Sequence, residues 1–559
     1  MSTADSWKLL VFRDGRSVRS GSELLRGLVT QIEAVLLLSD FSSQIARDEL
    51  IDALLRAGEL ECALADHDAC STEASTVAEA ADQLASALLT KSRPQIASKL
   101  AGALSELQVP YSLTLSTPEG FCYYALHPLD YADLLADNAF CPPAAAVVGI
   151  RSIGITLSAV VRAWFSAKGI AAKRISVRPL GHPFDRHLPI TENERKWIAA
   201  QNQRIADFFV VDEGPGLSGS SFLAVAEALV AEGVPAERIK LMPSSAPNLD
   251  NLFAPNAAQR WSRFQTTALK PTRYVPSEAA EYIGGGAWRN RVFESESEWP
   301  GVWPWTERQK YLSRNGTLIF RFDGHGHYGK TVRKRAEILG NGGWGPQFSS
   351  AGDGFTASEW LIGTRPKSLN HDTITRLARY CGFRVQHLAV PAASKMELEQ
   401  MARINMERAL GVSHEIKLPV ERPIIADARM MPYEWILLND GRLQKLDASD
   451  HGNNHFFPGP TDAAWDIAGV IVEWRLNSEA VELLTSEYRR ITHDALRNRL
   501  PNYLIAYSCF RMAFVQSAAN STSDAIERAR LQREADAYRS TLTALLGQFA
   551  PSCSTGAST

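Results

Sequence analysis

Phe208-Phe209-Val210-Val211-Asp212-Glu213-Gly214-Pro215-Gly216-Leu217-Ser218-Gly219-Ser220-Ser221-Phe222 is the stretch on which the reading of this 559-residue chain turns. Residues 208–211 form an apolar run too short and too rich in β-formers for a helix, and so predict a buried strand. After Ser221 the spacing Phe222, Val225, Leu229 predicts an amphipathic helix. The loop between them therefore ends at a helix N-terminus, where free N–H groups and the helix dipole favour an anion. Glycines allow close backbone approach, and Ser218, Ser220 and Ser221 add hydroxyl donors. These features describe a phosphate cradle; the bland alternative is a serine-capped turn between strand and helix.

The spacing from Gly214 to Ser221 also matches the nucleoside-triphosphate loop G-x-x-x-x-G-K-[ST], but Ser220 stands where the lysine belongs. Two carboxylates ahead of a small-residue loop suit a ribose whose hydroxyls meet the acids while its 5-phosphate enters the loop. In this the stretch resembles the type I phosphoribosyltransferases, whose signature is an apolar strand, two acids and a loop ending in Thr/Ser-Gly-x-Thr/Ser. The acidic pair lies one residue further from Ser218-Gly219 than that pattern has it. The resemblance implies that Asp212 and Glu213 hold the ribose of phosphoribosyl pyrophosphate. It further implies that Gly214, Gly216, Leu217, Ser218, Gly219, Ser220 and Ser221 cradle its 5-phosphate. Upstream, 144–150 predicts a strand, and Arg151-Ser152-Ile153-Gly154 opens a helix. By the same resemblance Arg151 and Ser152, with Arg178 in the following loop, meet the pyrophosphate, assisted by Mg2+. Strands alternating with helices predict a parallel α/β sheet with its ligand loops at the strands' C-terminal ends.

Composition bounds the rest. The length implies several domains. A net charge of −3 gives no electrostatic case for nucleic acid or an anionic membrane. Seven scattered cysteines (62, 70, 122, 141, 381, 509, 553) without a C-x-x-C pair point to a reducing, cytoplasmic setting. No run approaches the length of a membrane span. Residues 1–105 read as a helical packing or oligomerisation region, with helical spacing over 24–38 and 76–89 and its acids near His67 in a polar loop. The transferase-like domain occupies 106–255, with further strands expected at 111–115 and 120–126. A tryptophan- and glycine-rich hood or linker fills 256–309.

From 310 to 550 a different architecture is expected: a small lobe (310–370), a helical lobe (371–550), then a disordered tail, 551–559. Residues 317–322 predict a strand, and 324–329 match G-x-G-x-x-G, a dinucleotide fingerprint lacking its later acid. Gly441–Asp447 reads as turn, strand and terminal aspartate, and Asp466-Ile467-Ala468 opens a helix. This half resembles the aminoglycoside-phosphotransferase-like kinases. The resemblance implies an α+β protein-kinase-like fold, a metal-binding Asp447, Arg321 in place of the phosphate-contacting lysine, Glu337 as its acidic partner, and ATP as ligand. Arg429 stands where the catalytic aspartate belongs, and a cation cannot accept the substrate's proton. Asp450, His451 and His455 in a polar turn read as hydrogen-bonding loop residues. The function expected is transfer of phosphoribosyl to an unidentified acceptor, with a degenerate kinase-like domain attached. The alternatives are a sensor of phosphoribosyl pyrophosphate without chemistry, and a small-molecule kinase working through the C-terminal half.

Overall fold

The computed structural model describes residues 9–11, 15–67, 72–96, 98–366, 369–393, 396–454, 456–457, 459–496 and 498–548. The expected disordered tail and His455 lie outside the described residues. The chain is a mixed α/β structure with a five-stranded parallel sheet in its first half. Its strand order is Ala172–Val177, Ala145–Ile150, Asp207–Val211, Ile239–Met242 and Gln265–Thr266. All neighbouring pairs run parallel. Both faces are covered, as continuous apolar strands require. Phe209 and Val211 face one core, shared with helices Gln44–His67, Thr72–Thr90 and Ile153–Ala167. Phe208 and Val210 face the other, shared with helix Ser220–Ala231. The period of two along a strand divides one apolar run between two cores.

Two local expectations need correcting. Ser112–Ser116 is a strand, but it pairs antiparallel with Arg16–Ser20 rather than joining the main sheet. Residues 120–126 are not a strand: Glu119–Cys122 is a single helical turn. Gly120, Phe121, Cys122 and Tyr123 are all buried, so the run has no alternating solvent face to specify a strand.

The second half carries an antiparallel sheet in the order Ala279–Tyr282, Lys310–Ser313, Leu318–Phe322, Phe355–Glu359, Phe348–Gly352. Part of the expected hood or linker thus supplies an edge strand. A helical lobe follows, with helices His371–His387, Met396–Leu410, Ala464–Glu473, Ser478–Thr492, Leu500–Ser521 and Ala525–Gly547 around one large core. Among the described residues no helix is long and apolar enough to cross a membrane.

The two halves meet at the G-x-G-x-x-G segment. Helix Gly326–Asn341 points its N-terminus at helix Gln44–His67, and the fully buried Asp52 carboxylate fills the place an anion would take. Asp52 Oδ1 accepts from the His327 backbone N–H and faces His327 Nδ1, both at 2.9 Å, while Oδ2 lies 2.9 Å from Lys330 Nζ. Gly326 has φ +51°, and a Cβ there would stand 2.7 Å from Asp52 Oδ1. Its glycine is needed for approach to a carboxylate of the same chain.

Burial raises the Asp52 carboxyl, but His327, Arg56 and Lys330 outweigh it and hold the group well below the usual carboxylate range. Burial lowers His327, and hydrogen bonds and charge from Asp52 and Glu59 reverse this, leaving it above 6.5. The raised pKa makes the His327 contribution complete below 6.5 and lost as pH rises through the folded value. Denaturant unfolding should show stability falling above pH 6.5, and His327→Gln should remove that slope. Asp52→Asn should cost about 2 kcal/mol, as loss of charge-assisted hydrogen bonds does.

Candidate functional site

Strand Asp207–Val211 sits mid-sheet and delivers Asp212 and Glu213 at its C-terminal end. Tyr131 Oη donates to the Asp212 carbonyl at 2.6 Å, and the Glu213 N–H donates to Asp212 Oδ1 at 2.9 Å. Glu213 Oε2 accepts from the Gly120 N–H at 3.0 Å. Burial pushes Asp212 up to about 7. Burial, with Glu119 nearby, pushes Glu213 up to about 8. The loop then turns through Gly214, Pro215, Gly216 (φ +63°), the half-exposed Leu217 and Gly219 (φ +69°) into helix Ser220–Ala231. Its hydroxyls are already engaged. Ser218 Oγ and Ser220 Oγ donate to the Pro183 carbonyl at 2.8 and 2.7 Å, and Arg186 Nη1 donates to Ser221 Oγ at 2.9 Å. Pro183 lies at the tip of the hairpin Leu180–His182 and Asp185–His187, which rests on the loop.

The expected pyrophosphate contacts are more constrained. Arg151 and Arg178 come together, but both bind Asp66. Arg151 Nη1 lies 3.2 Å from Asp66 Oδ1 and 3.0 Å from the Ala65 carbonyl. Arg178 Nε donates to Asp66 Oδ1 at 3.0 Å, and its Nη1 donates to the Arg151 carbonyl at 3.1 Å. Ser152 precedes helix Ile153–Ala167 without capping it through its side chain. Asp66 and His67 are not in a polar loop, as expected, but close helix Gln44–His67. Among the described residues Arg186 has no carboxylate partner, and no sequence signal separates it from Arg178.

The second constellation lines a cavity of about 790 Å³ between the antiparallel sheet and the helical lobe. Lys310 and Arg321 are directly opposed across two strands. Like charges in that position repel, and Asp447 lies between them: Oδ2 is 2.8 Å from Lys310 Nζ and Oδ1 is 2.6 Å from Arg321 Nη1. Arg321 also bonds Asp323 and Ser449. Asp450 pairs with Arg308, and His451 Nε2 lies 3.6 Å from Asp447 Oδ2. Asp447, Asp450 and His451 offer ligand atoms all within 4.8 Å of one another. Burial raises the Asp447 carboxyl, but Lys310, His451 and Arg321 carry it well below the usual range. Burial lowers His451, and the neighbouring carboxylates Asp447 and Asp427 more than reverse this, to about 9.

Several residues take places other than those expected. Glu337 is exposed, because helix Gly326–Asn341 turns Val332, Arg335 and Leu339 inward. The buried Arg335 Nε instead donates to the Ser449 carbonyl at 2.6 Å. Asp450 and His451 line the cavity wall, paired with neighbouring charges. Arg429 pairs with Glu434 at 2.8 Å, and Glu434 with Lys445 at 2.7 Å. Asp427 is fully buried, held by Tyr380 and Lys445. Asp466 accepts the N–H groups of Asp427 and Ala428 at 2.9 and 3.0 Å, so it shapes the loop rather than the cavity. Lys310 escaped the sequence reading because its strand lay at the edge of an irregular segment.

No family model and no curated protein matches the sequence. Among solved structures, the chain is similar to the choline kinase LicA from Streptococcus pneumoniae, with a TM-score of 0.29 and 16% identity over 42% of this chain and 89% of that one. It is also similar to a choline/ethanolamine kinase family protein from Mesorhizobium loti (TM-score 0.30, 15% identity, 43% and 88% covered). A third likeness is to an aminoglycoside phosphotransferase from Alicyclobacillus acidocaldarius (TM-score 0.27, 10% identity, 43% and 90% covered). These likenesses are weak, and the chemistry of the cavity rests on its own residues.

Proposed function

We propose that the C-terminal cavity is the centre of a nucleotide-binding phosphotransferase module that uses ATP and Mg2+. The observation that carries this reading is the convergence of Asp447, Asp450 and His451 opposite the cross-strand pair Lys310 and Arg321. Carboxylate oxygens suit Mg2+, and Asp450 Oδ1 is buried without a hydrogen-bond partner among the described residues, with Arg321 Nη1 3.7 Å away. Asp447 and Asp450 would hold the ion, which neutralises phosphate charge when bound. Lys310 and Arg321 supply fixed cations for phosphate oxygens, and the low-dielectric walls strengthen that attraction. With Glu434 paired to Arg429 and Asp427 paired to Lys445 in the core, neither of these two carboxylates is free to take a hydroxyl proton. Nucleotide binding is therefore expected to exceed turnover. Titration of ATP with Mg2+ should show binding that Asp447→Asn weakens by about tenfold or more, the loss of at least one charge-assisted contact. Unchanged affinity would remove the reading.

A second reading, phosphoribosyl pyrophosphate bound at 212–221 for transfer to an acceptor, is favoured by one specific observation. Both candidate anion loops, after Ile150 and after Val211, leave the same edge of adjacent parallel strands. In this reading Asp212 and Glu213 hold the ribose hydroxyls, and Arg186 joins the serine loop at the phosphate. The raised carboxyl values set a pH dependence: the charged forms grow as pH passes through about 7 and about 8. Calorimetric titration of phosphoribosyl pyrophosphate with Mg2+ should therefore tighten with rising pH over that interval. Asp212→Asn with Glu213→Gln should abolish the binding while leaving ATP affinity intact.

A further inference from the structure

We propose that Arg365 forms an oxoanion-binding subsite in the wall of the C-terminal cavity that Arg429 also lines, receiving the phosphate or carboxylate group of a molecule bound there. The proposal rests on the cavity being a ligand site, as argued above. Arg365 follows the short strand Gly363–Thr364 and lines the cavity beside Phe293, Tyr433 and Glu434. Its Nη1 is buried and meets no acceptor among the described residues. The guanidinium carbon lies 5.6 Å from the centre of the Phe293 ring, which provides a cation–π contact but no hydrogen bond.

The nearby acid is already committed. Glu434 Oε2 lies 2.7 Å from Lys445 Nζ, and Oε1 lies 2.8 Å from Arg429 Nε. Glu434 thus has two cationic partners, Lys445 itself also meeting Asp427 Oδ1 at 3.3 Å, and Arg365 adds a further positive charge beside it. Arg429 is fixed from its other side, with Nη2 donating to Tyr433 Oη at 3.1 Å. A guanidinium does not relieve such crowding by losing its proton. A buried N–H without an acceptor is costly, and here it borders a cavity large enough for a metabolite. The fork of an arginine matches two oxygens of a carboxylate or phosphate. An oxoanion at this wall gives Arg365 both an acceptor and a counter-charge; a neutral group gives at most the acceptor, and a cationic group gives neither.

The test is calorimetric titration of the full chain with two probes, inorganic pyrophosphate and citrate, which separate phosphate from carboxylate selectivity. Wild type should bind at least one, and Arg365→Ala should weaken it by about tenfold or more. Arg365→Gln, which keeps the side chain polar without its charge, should show the same loss, and thermal unfolding checks that both variants remain folded. Equal affinity in wild type and both variants, or no binding of either probe to wild type, overturns the proposal. So does loss of pyrophosphate binding in Arg186→Ala but not in Arg365→Ala, because the anion then belongs to the serine loop. A parallel ATP titration separates the two levels. ATP binding with Arg365-independent probes sinks the subsite alone, and Arg365-dependent probes without ATP binding sink the nucleotide reading alone.

Discussion

Arg308 is the residue on which the arrangement of both halves depends. Its buried guanidinium pairs with Asp450 and donates from Nη1 to the carbonyls of Cys122 and Asp323, at 2.6 and 3.2 Å. Its guanidinium carbon also lies 5.3 Å from the Tyr123 ring centre. A buried arginine must be fully partnered or it opposes folding. Here the partners come from three separate segments, so satisfying one side chain sets their mutual positions. The turn Glu119–Cys122 is held from the other side as well, since the Gly120 N–H donates to Glu213. The two candidate sites therefore share a four-residue element.

Most charges of the cavity wall are paired with one another before any ligand arrives. Asp447 has Lys310 and Arg321; Asp323 has Arg321; Glu434 has Arg429 and Lys445. Desolvating so many ions is unfavourable, and such pairs rarely add net stability over an apolar core. Their value lies in fixed orientation, because preorganised dipoles and charges need not reorganise when a charged group binds. A phosphate entering between Lys310 and Arg321 competes with Asp447 for the same cations, and a cation on Asp447 compensates that competition. Under the nucleotide reading proposed above, nucleotide and metal ion bind together rather than singly.

Much of the framework was legible in the sequence. The strands read at 144–150 and 208–211 were visible as short apolar runs, since burial on both faces leaves no polar alternation. Helix Ser220–Ala231 and the strand before Asp447 were visible by spacing and by turn residues. What escaped reading depends on segments far apart in the chain. Lys310 matters because it is opposed to Arg321, and Asp66 matters because a helix end 85 residues upstream of Arg151 reaches it. Glu337 was misassigned because helical spacing defines a buried face only once the neighbouring core is known. Residues 120–126 defeated the strand expectation because a largely buried apolar run suits either structure.

The two glycine-rich loops show why motif spacing alone does not locate a ligand. Both end at helix N-termini, and both offer N–H groups and a dipole to an anion. At Gly326 the chain supplies that anion itself, as Asp52, and the site becomes a joint between the two halves. At Ser220, among the described residues, no carboxylate accepts a hydrogen bond from 214–221. The hydroxyls there rest on a neutral carbonyl, Pro183, while Arg186 adds positive charge. A neutral acceptor yields to a phosphate more readily than a buried carboxylate does, because charge-assisted hydrogen bonds are the stronger ones. Of two loops with similar local geometry, only the second retains an electrostatic reason to take a ligand from solution.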